Sequence, residues 1–230
     1  MLKGIKPREY QENIAKSVLE KGNTLVVLPT GLGKTLIALI VMDKMPTKGN
    51  ILFMAPTKPL AEQHAVSIKK HLSIDEEEIA LITGTIKPKD RIELWKKKIC
   101  ICTPQTARND LMKERLDLDN FVLCVIDEAH RSVGNYAYTY VAEKCWDRNI
   151  KILGMTASPG GEKKRIKEIM KALHITNIEA RTHGDIDVEK YVQKTKTSWR
   201  FIELPKEMKE ARDYLKEMYK DYLETLKKFG

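Results

Sequence analysis

From Asn23 to about Leu173, short β-branched and aliphatic runs alternate with segments of helical period, and this alternation most limits the folds open to the chain. The strand candidates are residues 24–28, 51–55, 79–83, 99–103, 121–126 and 150–155. Between and after them fall helix candidates at 34–44, 59–71, 88–95, 105–112, 135–145 and 162–173. Repeated strand-helix units build a parallel sheet covered on both faces, because each right-handed crossover needs a helix to return the chain. Val26-Val27-Leu28 and the run from Val122 to Ile126 are apolar without alternation, as strands buried on both faces should be. The expected class is therefore α/β, a mostly parallel sheet with helices on both faces.

Ahead of this core a helix is expected from Pro7 to Glu20, with Tyr10, Ile14 and Val18 on one stripe and Pro7 in its first turn. Behind it, residues 182–196 are polar and residues 197–204 read as one more strand. Pro205 then opens a helix with Met208, Ala211, Leu215, Met218, Tyr222, Leu226 and Phe229 at three- and four-residue spacing. We divide the chain into one α/β domain, residues 1–203, and a first helix of a further segment, residues 204–230.

Lys and Arg number 41 against 32 Asp and Glu, a net charge of +9, which raises the odds of a polyanionic partner without fixing the fold. Hydrophobic residues make up 42%, which excludes a disordered tail. No apolar leader or membrane-length run is present, so an intracellular, cytoplasmic location without a membrane is expected. Cys100, Cys102, Cys124 and Cys145 form no CxxC pair and are read as reduced core or surface thiols. His64, His71, His174 and His183 lack ligand spacing and are read as surface or packing residues. Lys96-Lys97-Lys98 and Lys163-Lys164-Arg165 are read as solvated faces, and Tyr136, Tyr138 and Tyr140 as packing residues.

Chemistry concentrates in two places. The first strand runs into Pro29-Thr30-Gly31-Leu32-Gly33-Lys34-Thr35 and then an apolar helix, the order a phosphate-binding loop requires. Glycines let backbone N–H groups converge on phosphate oxygens at the helix N-terminus, Lys34 adds positive charge, and the Thr35 hydroxyl can ligate Mg²⁺. The general pattern asks for a first glycine at position 28, where this chain has Leu28. The second place is Asp127-Glu128-Ala129-His130, directly after a six-residue apolar strand. It sets two carboxylates at the C-terminal edge of a parallel sheet, where ligands of such sheets bind. Asp127 can hold Mg²⁺ and Glu128 can orient and deprotonate an attacking water.

With these motifs the sequence resembles the superfamily 2 helicases of the Asp-Glu-Ala-His type, which implies a RecA-like P-loop fold, ATP and Mg²⁺. Arg8-Glu9-Tyr10-Gln11 is similar to the family's adenine-reading segment. Thr57 and Lys58 in Ala55-Pro56-Thr57-Lys58-Pro59-Leu60, Thr83-Gly84, and Thr103 and Gln105 in Thr103-Pro104-Gln105-Thr106 are similar to its strand-end motifs that grip nucleic-acid backbone. Thr156-Ala157-Ser158 is similar to the motif coupling hydrolysis to nucleic-acid binding, with Thr156 and Ser158 as its polar members. The resemblance implies a catalytic set of Lys34, Asp127, Glu128 and His130 and nucleotide contacts from Arg8, Gln11, Thr30, Gly31, Leu32, Gly33, Lys34 and Thr35.

Finer wording points to the archaeal Hef and Fanconi anaemia M-type helicases. Gln63-His64 after the second motif, Asn109-Asp110 after Thr106, and Gly134-Asn135-Tyr136-Ala137-Tyr138 after the acidic box carry that likeness. It implies a DNA helicase or translocase acting on forked or branched DNA, with a helical insertion beginning near Leu204-Pro205. The family's arginine-finger motif, Gln-x-x-Gly-Arg-x-x-Arg, does not occur in these residues. A second RecA-like domain is therefore an expected partner, without which ATP turnover is expected to be weak. An RNA helicase or RNA-sensing ATPase is the alternative, since backbone contacts do not read the 2′-OH. A nucleotide-dependent scaffold without motor activity is a further alternative.

Overall fold

The computed structural model describes residues 2–45, 48–158, 163–191 and 198–228. They fall into two compact units, residues 1–192 and 193–230. The first is built from α1 (Glu9–Glu20), β1 (Thr24–Val27), α2 (Lys34–Lys44), β2 (Asn50–Met54), α3 (Lys58–His71), β3 (Ile79–Ile82), α4 (Pro88–Leu94), β4 (Ile99–Cys102) and α5 (Pro104–Met112). It continues with β5 (Phe121–Ile126), α6 (Tyr136–Trp146), β6 (Lys151–Thr156), α7 (Lys163–Ala172), β7 (Asn177–Ala180) and the short α8 (Ile186–Glu189). The second unit contains α9 (Lys206–Lys227).

The seven strands form one sheet in the order β3-β4-β2-β5-β6-β1-β7, and every pairing is parallel. Side chains alternate along each strand and so feed two cores. Val26, Phe53, Val125 and Met155 pack with residues of α1, α2 and α3 on one face. Leu25, Met54, Ile126 and Ile152 pack with residues of α5, α6 and α7 on the other. The expected parallel sheet with helices on both faces is thus the observed one.

Several local readings shift. Pro7 precedes the N-cap Arg8 instead of occupying the first turn of α1. The expected strand at 197–204 is not formed over its described part, residues 198–204, whose backbone joins no ladder; Thr197 lies outside the described residues. A different strand, β7, pairs with β1 along the sheet edge. Its side chains are alternately half-buried and exposed, so its sequence carries no apolar run. Glu162 and Phe229, assigned to the ends of the last two helices, also lie outside the described residues. All four cysteines are free and buried. Of the three tyrosines after the acidic box, Tyr138 is buried, while Tyr136 and Tyr140 pair their rings at 5.6 Å.

A buried carboxylate fixes the far half of the sheet edge. Asp110 of α5 is fully buried and accepts from Arg91 Nε at 2.6 Å, Arg91 Nη2 at 2.7 Å, Trp95 Nε1 at 3.0 Å and Arg115 Nη1 at 3.3 Å. Arg91 also donates to the Ile86 carbonyl at 2.6 Å, tying the loop after β3 to α5. Burial alone raises the Asp110 pKa, but the bonds from Arg91 and Trp95 and the Arg91 charge outweigh it and hold the carboxyl below its ordinary value. Removing one member of a buried, hydrogen-bonded ion pair typically costs about 3–5 kcal/mol. Asp110→Asn is expected to lose stability of that order in urea unfolding at pH 7. A carboxyl depressed in the folded state stabilises above the unfolded value of about 3.9 and loses that contribution as pH falls through the folded value. The gap between wild type and Asp110→Asn should therefore be full at neutral pH and close below about pH 4.

Candidate functional site

Parallel strands end together, so the loops after β1, β2, β3, β4, β5 and β6 share one edge. Backbone bonds beyond the strand ends fix where those loops start. Asp127 N–H donates to the Met54 carbonyl at 2.9 Å, Leu28 N–H to the Thr156 carbonyl at 3.0 Å, and Ala55 N–H to the Cys102 carbonyl at 3.0 Å. Leu28, at the position where the general loop pattern has glycine, is fully buried and extends the pairing with β6.

After β1 the loop turns through Gly31 at φ +85° and Gly33 at φ +79°, left-handed conformations that side chains rarely adopt. Gly33 is the N-cap of α2, so the first N–H groups of that eleven-residue helix open onto the loop. A Cβ at Gly33 would meet Gln11 Nε2 at 2.4 Å, whereas one at Gly31 would meet nothing within 4 Å. Lys34 Nζ donates to the Leu28 carbonyl at 3.0 Å. Burial pulls this ammonium below the usual lysine range, while Glu128 and then Asp127 act to hold it up.

Across the loop, Asp127 is 8% exposed and Glu128 is a non-glycine residue at φ +51°. Such strain costs of order 1–3 kcal/mol and clusters at functional sites. A cleft of about 460 Å³ is lined by residues that include Thr30, Gly31, Gly33, Lys34, Thr35, His64, Asp127 and Glu128. Leu32 is buried beside it, its carbonyl accepting from Tyr10 Oη at 2.7 Å and Gln11 Nε2 at 3.1 Å. The cleft joins backbone N–H donors and an ammonium to two carboxylates and a hydroxyl, a set that suits a polyphosphate with a hard divalent cation. Among the described residues no cluster of three or more His, Cys, Asp or Glu could hold a metal unaided. An ion here would take Thr35, Asp127 and oxygens of the phosphate and water.

The acidic box is wired to β6. His130 Nδ1 lies 3.2 Å from Glu128 Oε2 and 2.9 Å from Thr156 Oγ1. Thr156 Oγ1 in turn donates to the Ser158 carbonyl at 3.2 Å. One imidazole thus lies between a carboxylate that follows β5 and the last residue of β6.

Gln11 and Arg8 lie apart from the cleft lining. Gln11 Oε1 accepts from Arg8 N–H at 2.9 Å, and its Nε2 is spent on Leu32 O and Tyr10 Oη. The Arg8 guanidinium sits 4.9 Å from the Tyr191 ring centroid. Thr57, Lys58, Thr83, Gly84, Thr103 and Gln105 follow β2, β3 and β4, on the half of the edge away from β1. Thr57 and Thr103 are the N-caps of α3 and α5, and Lys58 makes an exposed pair with Glu62 at 3.7 Å.

One residue read as surface or packing belongs to the cleft. His64 is 7% exposed and its Nε2 lies 2.8 Å from Asp127 Oδ2. The available sequence signal was its place on the buried face of α3, between Ala61, Ala65 and Ile68. The other histidines fit the earlier reading: His174 stacks on Trp146 at 5.2 Å, and His71 approaches the Lys3 carbonyl at 3.2 Å. In the basic runs, Lys96 pairs with Glu93 at 2.6 Å and Lys97 with Glu78 at 3.5 Å. No described helix is long and apolar enough to cross a membrane.

Comparison with known proteins agrees with this geometry. The chain is 45% identical over 231 residues to the "Putative ATP-dependent RNA helicase MJ1505" of Methanocaldococcus jannaschii, covering 99% of this chain and 29% of that protein. It is 37% identical over 229 residues to the "DEAD-box ATP-dependent DNA helicase Fancm" of Drosophila melanogaster, covering 95% of this chain and 15% of that one. The chain thus spans less than a third of these curated relatives. The Pyrococcus furiosus Hef helicase domain superposes with a TM-score of 0.79 at 41% identity, over 97% of this chain and 48% of that one. The bacteriophage T4 UvsW helicase, at 19% identity and a TM-score of 0.61, shares the fold. With its glycine loop and acidic box both inside residues 4–161, which match the family model "Type III restriction enzyme, res subunit", the chain belongs to that helicase-domain family and has the RecA-like fold of the Hef helicase domain.

Proposed function

We propose that this chain is the ATP-binding motor domain of an ATP-dependent DNA helicase or translocase acting on forked or branched DNA. The observation that carries this reading is the convergence of Lys34, Thr35, Asp127 and Glu128 on one cleft beside a left-handed glycine turn. Thr30, Gly31, Leu32, Gly33 and Lys34 hold the phosphates of ATP. Asp127 and Thr35 hold Mg²⁺, which supplies neutralisation of phosphate charge when bound. Glu128 orients the attacking water and takes its proton, at an oxygen whose position is set by the left-handed turn. Arg8 and Gln11 serve the adenine end, for which Gln11 must release one of its present bonds.

Thr57, Lys58, Thr83, Gly84, Thr103 and Gln105 contact nucleic-acid backbone. Helix N-termini and small hydroxyl groups there suit phosphate contacts that position a strand without reading bases. His130, Thr156 and Ser158 link nucleotide state to that grip, because they join the ends of β5 and β6. A second RecA-like domain supplies the arginines that complete the γ-phosphate site, and α9 begins a helical segment between the two. RNA as the strand is the second reading, favoured by the name of the Methanocaldococcus relative.

The test uses this domain joined to a second motor domain. ATP turnover should rise with single-stranded or branched DNA more than with matched RNA, and should weaken steeply with salt. Glu128→Gln should lower turnover at least about 100-fold while keeping nucleotide and DNA bound. Wild-type turnover in that variant would remove Glu128 from its role, and preference for RNA would establish the second reading.

The two loop glycines should also separate in a titration with a fluorescent ATP analogue. Gly33→Ala combines left-handed strain with displacement of the Gln11 amide and should weaken binding at least about tenfold, or about 1.4 kcal/mol. Gly31→Ala carries strain alone and should weaken it less; equal losses would show that the Gln11 contact has no part.

A further inference from the structure

The buried face of α3 reads Ala61, His64, Ala65 and Ile68, so an imidazole occupies a position that helical period assigns to the core. Burying a polar ring is costly unless it is hydrogen-bonded. The apolar side of the ring packs on Phe53, with centroids 4.6 Å apart, and its Nε2 lies 2.8 Å from Asp127 Oδ2. A carboxylate oxygen accepts, so Nε2–H donates. Among the described residues no other side chain donates to Asp127, which leaves Oδ1 as its oxygen without a protein donor. The imidazole therefore holds the carboxylate in one rotation, with one oxygen occupied and the other available.

We propose that His64 is a positioning residue for the divalent cation: it donates to Asp127 Oδ2 and presents Oδ1 to Mg²⁺ or a Mg²⁺-bound water. This rests on the Mg²⁺-ATP reading of the cleft. Groups that orient metal-binding carboxylates from behind typically contribute 10- to 100-fold in metal affinity or activity. A merely structural role would instead place the value of His64 in packing, and an apolar residue of similar size would serve as well.

The experiment titrates Mg²⁺ into the chain with a fluorescent ATP analogue, for wild type, His64→Leu, His64→Gln and His64→Asn, with thermal melting as a check of folding. His64→Leu should raise the Mg²⁺ concentration for half-maximal binding about 10- to 100-fold, a larger change than any in affinity measured in EDTA. His64→Gln, whose terminal amide can reach the same carboxylate oxygen, should stay close to wild type. If the leucine variant fails to fold, His64→Asn decides, being polar but one methylene shorter; it should show the raised Mg²⁺ requirement. A folded leucine or asparagine variant with wild-type Mg²⁺ dependence overturns the proposal, as does a glutamine variant as impaired as leucine. Absence of Mg²⁺-dependent binding in the wild-type chain overturns the cleft reading itself, and the role of His64 with it.

Discussion

The ladder that pins the ends of parallel strands is the constraint on which the rest depends. A single bond from Asp127 N–H to the Met54 carbonyl carries the β2–β5 pairing one residue past the strand and into the acidic box. The equivalent bond from Leu28 N–H to the Thr156 carbonyl does the same where β1 enters the glycine loop. Because all seven strands run the same way, these anchored ends fall on one edge. The order of strands then divides that edge: the loops after β1 and β5 carry the glycine turn and the acidic box, and those after β2, β3 and β4 carry Thr57, Thr83 and Thr103.

On this rigid base the cleft tolerates local costs. Glu128 sits in a left-handed conformation, Lys34 is partly desolvated, and His64 and Asp127 place polar groups inside the fold. Each is unfavourable in isolation, at order 1–3 kcal/mol for the backbone strain alone. The apolar cores on both sheet faces and the buried Asp110 cluster hold the surrounding elements in place. His130 lies between Glu128 and Thr156, and the strands that carry those two residues are neighbours in the sheet.

What could be read from the sequence follows from how local its causes are. The glycine loop and acidic box were legible because each is a short run whose chemistry and backbone demands are contained within it. The central strands were legible because burial on both faces makes them continuously apolar. β7 was not, since an edge strand with half-exposed side chains needs no such run and takes its identity from β1. Residues 198–204 show the converse, because β-branched and aromatic residues become a strand only by finding a ladder. His64 was hardest for the same reason: its partner Asp127 lies 63 residues away. Family likeness supplied roles for many positions, but the imidazole on the Asp127 carboxylate came from packing.

On the reading proposed above, the cleft between the glycine loop and the acidic box holds a nucleotide polyphosphate. The most direct measurement is calorimetric titration of the 230-residue chain with a non-hydrolysable ATP analogue in Mg²⁺, beside Lys34→Ala. One site per chain is expected, lost in the variant while its thermal melting midpoint stays near wild type. No saturable binding to the wild type, or undiminished binding to a folded Lys34→Ala chain, would contradict it.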